Sequence, residues 1–217
     1  MSDLRDYINQ LRHDFKKATL DEAMLVETPT AQFEKWFRDA VDAKIYDPNA
    51  TVLSTVDGSG KPSARVLLLR NFDENGFVFY TNYNSKKGND LAVNPNACLT
   101  FWWPELERQV RIEGVVSKQS AADSDAYFMK RPRSSRLGAW ASPQSEMIAD
   151  RNALDDMLNN VTKKFAAGEV LRPEWWGGYV LKHSRVEFWQ GRESRLHDRI
   201  CYILQEDNSW HKVRLAP

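Results

Sequence analysis

Short β-rich runs follow one another at close spacing through most of this 217-residue chain, and that cadence limits its fold more than any other feature. The runs are 50–56 (ATVLSTV), 63–71 (SARVLLLRN), 77–82 (FVFYTN), 97–103 (ACLTFWW), 107–118 (ERQVRIEGVVSK), 179–190 (YVLKHSRVEFWQ), 200–205 (ICYILQ) and 210–215 (WHKVRL). Their β-branched and aromatic residues suit a pleated, half-buried surface. Asp57-Gly58-Ser59-Gly60, Asp73-Glu74-Asn75-Gly76 and Glu206-Asp207-Asn208 read as hairpin connections between them. Many short antiparallel strands with helices inserted predict a mainly β, α+β protein: one barrel-like domain over 1–217.

The helical signals fall between and before the strands. Leu4, Ile8, Leu11 and Phe15 recur at helical spacing and predict an amphipathic helix over 3–18, in an N-terminal segment (1–29) free to move. Phe33, Trp36, Phe37, Ala40 and Val41 form the apolar stripe of a second helix. Further helices are expected over 85–93, 120–131 (ended by Pro132) and 149–166, with LGAWAS (137–142) as an apolar turn.

Eight Trp and a hydrophobic fraction of 42% indicate a folded protein. Thirty basic and thirty acidic residues cancel, which argues against nucleic-acid or membrane-surface binding, so any anion site must be local. Cys98 and Cys201 have no metal-ligand or CxxC spacing, and no metal site is expected; both read as buried free thiols. The charged N-terminus is unlike a signal peptide and no apolar run approaches a membrane span, so the expected setting is cytoplasmic.

The chemistry concentrates in 187–199, EFWQGRESRLHDR. If 195–199 is extended, Arg195, His197 and Arg199 project to one face beside Trp189. Like charges gathered in this way call for an anion, and the indole calls for a ring. Arg65 lies in a run apolar enough to be buried, so it needs either a carboxylate or a bound anion. Ser85-Lys86-Lys87 opens a helix after Tyr80-Thr81, an arrangement that either suits phosphate or is solvated surface. Gln109 shares the polar side of its strand with Arg111 and Glu113, and Gln144-Ser145 offers a second amide beside a hydroxyl. Tyr127, Arg131 and Ser135, four residues apart, either converge on a phosphate monoester or form an ordinary helix end. Two phosphate-compatible groups result, one around Arg65, Lys86 and Lys87, the other around Arg70, Tyr127, Arg131 and Ser135. Two anionic ligands close together suit a cofactor and its substrate.

RVLLLR (65–70), FYTNYNSKKG (79–88), LERQVRIEG (106–114), YFMKRPRSSRLGAWAS (127–142), EFWQGRESRLHDR and the terminal RLAP resemble the pyridoxine (pyridoxamine) 5′-phosphate oxidase family, from about residue 30 to the C-terminus. The resemblance implies an FMN-binding split β-barrel of Greek-key antiparallel strands, working as a homodimer with FMN at the subunit interface. By the same likeness, Arg65, Val66, Leu67, Leu68, Leu69, Arg70, Tyr80, Thr81, Lys86, Lys87, Gln109, Gln144, Ser145, Trp189 and Arg199 hold FMN. Arg12, Phe15, Arg70, Tyr127, Arg131, Ser135, Arg195, Leu196 and His197 hold substrate, and Arg195 and His197 act at the reacting ring. The family commonly has Lys at the position of Arg70 and Arg at that of Lys86, exchanges that keep charge but change donor geometry. The implied reaction oxidises pyridoxine or pyridoxamine 5′-phosphate to pyridoxal 5′-phosphate, with dioxygen reduced to hydrogen peroxide. A different split-barrel flavoprotein, a single-strand nucleic-acid binder and a non-catalytic vitamer carrier are the rival readings.

Overall fold

The computed structural model describes residues 3–11 and 14–217. In chain order its elements are α1 (Leu4–Gln10), α2 (Pro29–Asp42), β1 (Ala50–Val56), β2 (Pro62–Leu68), β3 (Asn71–Asp73), β4 (Gly76–Asn82), α3 (Lys86–Val93), β5 (Asn96–Trp103), β6 (Arg108–Lys118), α4 (Ala121–Lys130), α5 (Arg133–Ala141), α6 (Arg151–Lys164), β7 (Trp176–Gln190), β8 (Asp198–Leu204) and β9 (Trp210–Arg214). The strands join in one nine-stranded sheet, ordered β2-β1-β5-β6-β7-β4-β3, with β8 on β7 and β9 on β8. By internal contacts the chain divides into two compact units. One comprises the residues through Pro48, 101–111 and 185–217; the other comprises 49–100 and 112–184.

In the 49–100/112–184 unit, β1 pairs antiparallel with β2 and with β5, and β4 with β3 and β7. Alternation in β1 turns Thr51, Leu53 and Thr55 inward, and Leu53, Phe77, Phe79, Leu99, Ile112 and Leu181 are fully buried. The expected single run 63–71 is interrupted at Leu69–Arg70. Leu69 N–H bonds to the Asn49 carbonyl, whereas Arg70 N–H bonds to Val78, both at 2.8 Å. The backbone thus leaves β1 and joins β4 within two residues. A separate cluster of Phe128, Leu137, Val170 and Trp176 packs α4 and α5. The expected apolar turn at 137–142 is instead the second half of α5, because Arg133–Ala141 resumes helix as soon as Pro132 has broken α4.

In the other unit, α2 starts where Thr28 Oγ1 accepts from Ala31 N–H and Pro29 opens the helix. Its apolar face packs on strands, Trp36 against Phe188 and Phe33 against Phe101 (ring centroids 5.2 and 5.0 Å apart). β8 pairs antiparallel with β7 and β9, the latter hairpin turning through Asn208 at φ 63°. Among the described residues, the helix expected over 3–18 covers Leu4–Gln10. It buries nothing, and the amides of Lys16 and Lys17 bond to the Glu107 side chain. Neither cysteine forms a disulfide, and only Cys201 is buried; Cys98 is half-buried. Among the described residues no helix is long and apolar enough to cross a membrane, and no His, Cys, Asp or Glu cluster could hold a metal.

Candidate functional site

In the 49–100/112–184 unit the first cationic group forms around the start of α3, where Ser85 caps the helix and accepts from Gly88 N–H. Arg65 on β2 donates to Thr55 Oγ1 (2.7 Å), Ser63 Oγ (2.6 Å) and the Leu53 carbonyl (3.3 Å), with Asp90 Oδ2 at 3.9 Å. Burial holds its pKa below the usual arginine value, and Asp90 opposes that shift. Lys86 bonds Asp90 Oδ1 at 3.0 Å. Lys87 is different: its ammonium donates to Thr81 Oγ1 (3.2 Å), Ser85 Oγ (3.3 Å) and Gln144 Oε1 (2.9 Å), all uncharged oxygens. Burial and then the Arg65 charge push the Lys87 pKa down to about 8. Thr81 also donates to Gln144 Oε1 at 3.1 Å, so Thr81, Lys87 and Gln144 form one network. Ser145, next in the chain, is exposed with φ 76°. Val66 is exposed, Leu67 and Leu68 are half-buried, and Leu69 is buried.

The second group lies across the α4–α5 break in the same unit. Tyr127 stacks on Tyr80, with ring centroids 3.8 Å apart and planes 10° apart, and Trp176 continues the stack 5.5 Å from Tyr80. The Arg131 guanidinium sits over the Trp176 ring at 4.5 Å. Its Nη1 is buried with no hydrogen-bond partner among the described residues. Burial, partly offset by Tyr127 and reinforced by the Arg70 charge, holds its pKa below normal. Arg131 and Ser135 line a cavity of about 290 Å³ together with Asn82, Gln144 and Trp176. Gln144 therefore belongs both to this cavity and to the Lys87 network. Arg70 is exposed.

In the other unit Trp189 lies in an aromatic cluster. Phe15 meets it edge-on (5.6 Å, 87°), His197 is 4.6 Å away and Trp102 5.9 Å. His197 Nδ1 accepts from Arg192 N–H at 3.1 Å, so the neutral ring carries its proton on Nε2. Burial and then Arg195 hold the His197 pKa below the usual value, against the pull of Asp198. The expectation of an extended 195–199 with three cations on one face does not hold. Glu193–Arg195 is a 3-10 turn with positive φ at Ser194 and Arg195, and β8 begins only at Asp198. Arg195 and Leu196 are exposed on that turn. Arg199 instead binds the buried carboxylate of Glu187, through Nε at 2.8 Å and Nη2 at 3.1 Å. Gln109 is half-buried on the polar side of β6, opposite in direction to buried Val110 and Ile112. Arg12 lies outside the described residues.

Three contributors were not picked out from sequence. Asp90 had a local signal, standing four residues after Lys86 on a helix. Trp176 reads as core in sequence but serves as the face under Arg131. Glu187 had no local signal, since its partners Arg111 and Arg199 come from other strands.

Comparison with known proteins places the chain in a family. Residues 37–164 match the family model described as pyridoxamine 5′-phosphate oxidase, and 176–217 match the pyridoxine 5′-phosphate oxidase C-terminal dimerisation region. A pyridoxine/pyridoxamine 5′-phosphate oxidase of Cyanothece sp. is 52% identical over 97% of this chain and 98% of its own length. One from Ralstonia nicotianae is also 52% identical, over 97% and 99%. Among solved structures, PhzG from Burkholderia lata 383, in complex with tetrahydrophenazine-1-carboxylic acid, superposes with a TM-score of 0.85 at 27% identity, covering 92% of this chain and 98% of that one. A pyridoxamine 5′-phosphate oxidase-related, FMN-binding protein from Nostoc punctiforme shares the fold (TM-score 0.70, 18% identity, 89% and 100% covered). With both family models and near full-length relatives in agreement, the chain belongs to the pyridoxine/pyridoxamine 5′-phosphate oxidase family.

Proposed function

We propose that this chain is an FMN-dependent oxidase converting pyridoxamine 5′-phosphate and pyridoxine 5′-phosphate to pyridoxal 5′-phosphate, with dioxygen reduced to hydrogen peroxide. It works as a homodimer with FMN at the subunit interface. The observation that carries the reading is Arg131: its Nη1 is a buried donor without a partner among the described residues, and the residue lines a cavity with Ser135. An unsatisfied buried guanidinium is costly, and a phosphate monoester brings the charge and acceptor oxygens that would satisfy it.

The first group fits a second phosphate. Lys87 is hydrogen-bonded to uncharged oxygens, and Arg65 and Lys86 share the Asp90 carboxylate, with Asp57 Oδ2 a further 3.9 Å from Lys86. These residues, with Thr81, Gln144 and Ser145, would hold the FMN phosphate end; Gln109, Trp189 and Arg199 would hold the ring portion. When bound, FMN supplies the two-electron chemistry that links the substrate to dioxygen. Tyr127, Arg131, Ser135 and Arg70 would hold the substrate phosphate, and that grip orients the reacting carbon. His197, neutral with its proton on Nε2, would donate a hydrogen bond to the substrate ring or its substituent. Exposed Arg195 would cover the ring, and Leu196 and Phe15 would exclude water.

The test is spectroscopic. Purified protein should be yellow, bleach anaerobically on addition of pyridoxamine 5′-phosphate, and form pyridoxal 5′-phosphate and peroxide under air. A flavin that stays oxidised with both substrates would defeat the proposal, and pyridoxal phosphate binding without oxygen uptake would identify a carrier.

A further inference from the structure

Residues 14–20 are neither helical nor loosely attached. The main-chain amides of Lys16 and Lys17 both donate to Glu107 Oε2, at 2.9 and 3.0 Å, and Lys17 Nζ reaches the Glu105 carbonyl at 2.6 Å. Glu107 is only 2% exposed. Three residues on, Leu20 N–H donates to Asp198 Oδ2 (3.0 Å), and the Leu20 carbonyl accepts from Arg214 Nη2 (3.1 Å). Arg214 in turn binds Asp198 Oδ1 and both oxygens of Glu22, each at 2.9 Å. Burial alone would raise the Asp198 pKa. Hydrogen bonds from Leu20 N–H, Arg192 and Arg214 outweigh that and hold it below the usual value.

Two carboxylates, distant from this segment in sequence, are therefore committed to its backbone amides. Burying a carboxylate is costly, and although Leu20 is buried, Lys16, Lys17 and Thr19 of the segment are exposed. What the two pins do fix is the position of Phe15. Its ring stands edge-on to Trp189 and 5.7 Å from His197. Gly191 leaves room for it, since a Cβ there would come within 2.6 Å of Phe15 Cγ. Asp198 directly follows His197, and Arg192 binds both, by its amide to His197 Nδ1 and by Nη1 to Asp198. The pin and the imidazole are thus mechanically joined.

We propose that Glu107 and Asp198 are positioning residues that fasten 14–22 as a strap, setting Phe15 as a fixed wall beside Trp189 and His197. The assignment of that wall to a substrate pocket rests on the oxidase reading above; the strap itself does not.

Amide hydrogen exchange on the full-length protein tests it directly. In Glu107→Ala the Lys16 and Lys17 amides should exchange about tenfold faster or more, and in Asp198→Ala the Leu20 amide should do so, while Phe188 and Ile200 in the β7–β8 ladder stay protected. Glu107→Gln keeps an acceptor oxygen and should restore most of the protection. Turnover by both alanine variants should show a raised KM with kcat changed much less, and Phe15→Ala should reproduce the raised KM with the Lys16, Lys17 and Leu20 amides still protected. Unchanged amide exchange in the alanine variants would overturn the strap, as would loosened amides with an unaltered KM. If Glu107→Ala does not fold, Asp198→Ala decides alone through Leu20. A protein that never oxidises substrate, yet loosens as described, would sink the oxidase reading and leave the strap standing.

Discussion

Glu187 grips Arg199 at two points, Oε1 accepting from Nε at 2.8 Å and Oε2 from Nη2 at 3.1 Å. The register explains the meeting. Glu187 lies opposite Cys201 and Trp189 opposite Arg199, so the two charged residues are diagonal neighbours on one face of the β7–β8 ladder. Arg111 Nη1 adds a third contact at 3.5 Å. Two guanidinium groups thus contact one carboxylate next to Trp189.

That carboxylate is 3% exposed, so its loss strands partners that were arranged around it. Glu187→Gln should destabilise the protein by about 1–3 kcal/mol, read as a lower midpoint in urea with an unchanged slope. Stability equal to the parent would show that solvent already satisfies Arg199.

Arg131 calls for the opposite result in the free protein. Its Nη1 has no described partner, so replacing it with methionine should leave thermal stability unchanged or higher. The same Arg131→Met change should raise KM for pyridoxamine 5′-phosphate by about tenfold or more, equivalent to about 1.4 kcal/mol. A large fall in melting temperature would make Arg131 a structural cation.

Lys87 gives a pH signature. Its folded pKa, about 8, lies below the ordinary lysine value of 10.5, so on raising pH the folded protein loses this proton before the unfolded chain does. Flavin-free stability should accordingly gain a contribution as pH rises from about 8 to 10.5, because the unfolded state binds more protons in that window. On the proposed assignment of Lys87 to the FMN phosphate, affinity for FMN should move the other way, with fluorescence titration showing weaker binding at about pH 9 than at pH 7. Lys87→Arg should flatten that dependence.

His197 is held as a donor. With Nδ1 engaged by Arg192 N–H and its pKa below normal, the imidazole is neutral near pH 7. His197→Asn should therefore raise KM while retaining kcat within about tenfold, with no loss of an acidic limb in the kcat–pH profile. Disappearance of such a limb in the variant would assign His197 the role of base.

The sequence by itself determined what depends on local pattern. Period-two runs gave β1, β4, β5 and β6 nearly to the residue, Ser85 and Pro132 marked a helix start and a helix end, and the residue types of Lys87, Arg131 and Ser135 suggested anion binding. Tertiary structure decided everything that depends on non-local partners. Whether 14–18 continues a helix was decided by Glu107, which takes the Lys16 and Lys17 amides. Where 63–71 breaks was decided by the competing carbonyls of Asn49 and Val78. Among cations of the same type, Arg199 was given to Glu187 and Arg131 Nη1 was left without a hydrogen-bond partner among the described residues, because only the folded chain fixes which acceptors come within reach. A charge in a sequence states its sign; whether it is already neutralised depends on residues tens of positions away, brought near by strand register and packing.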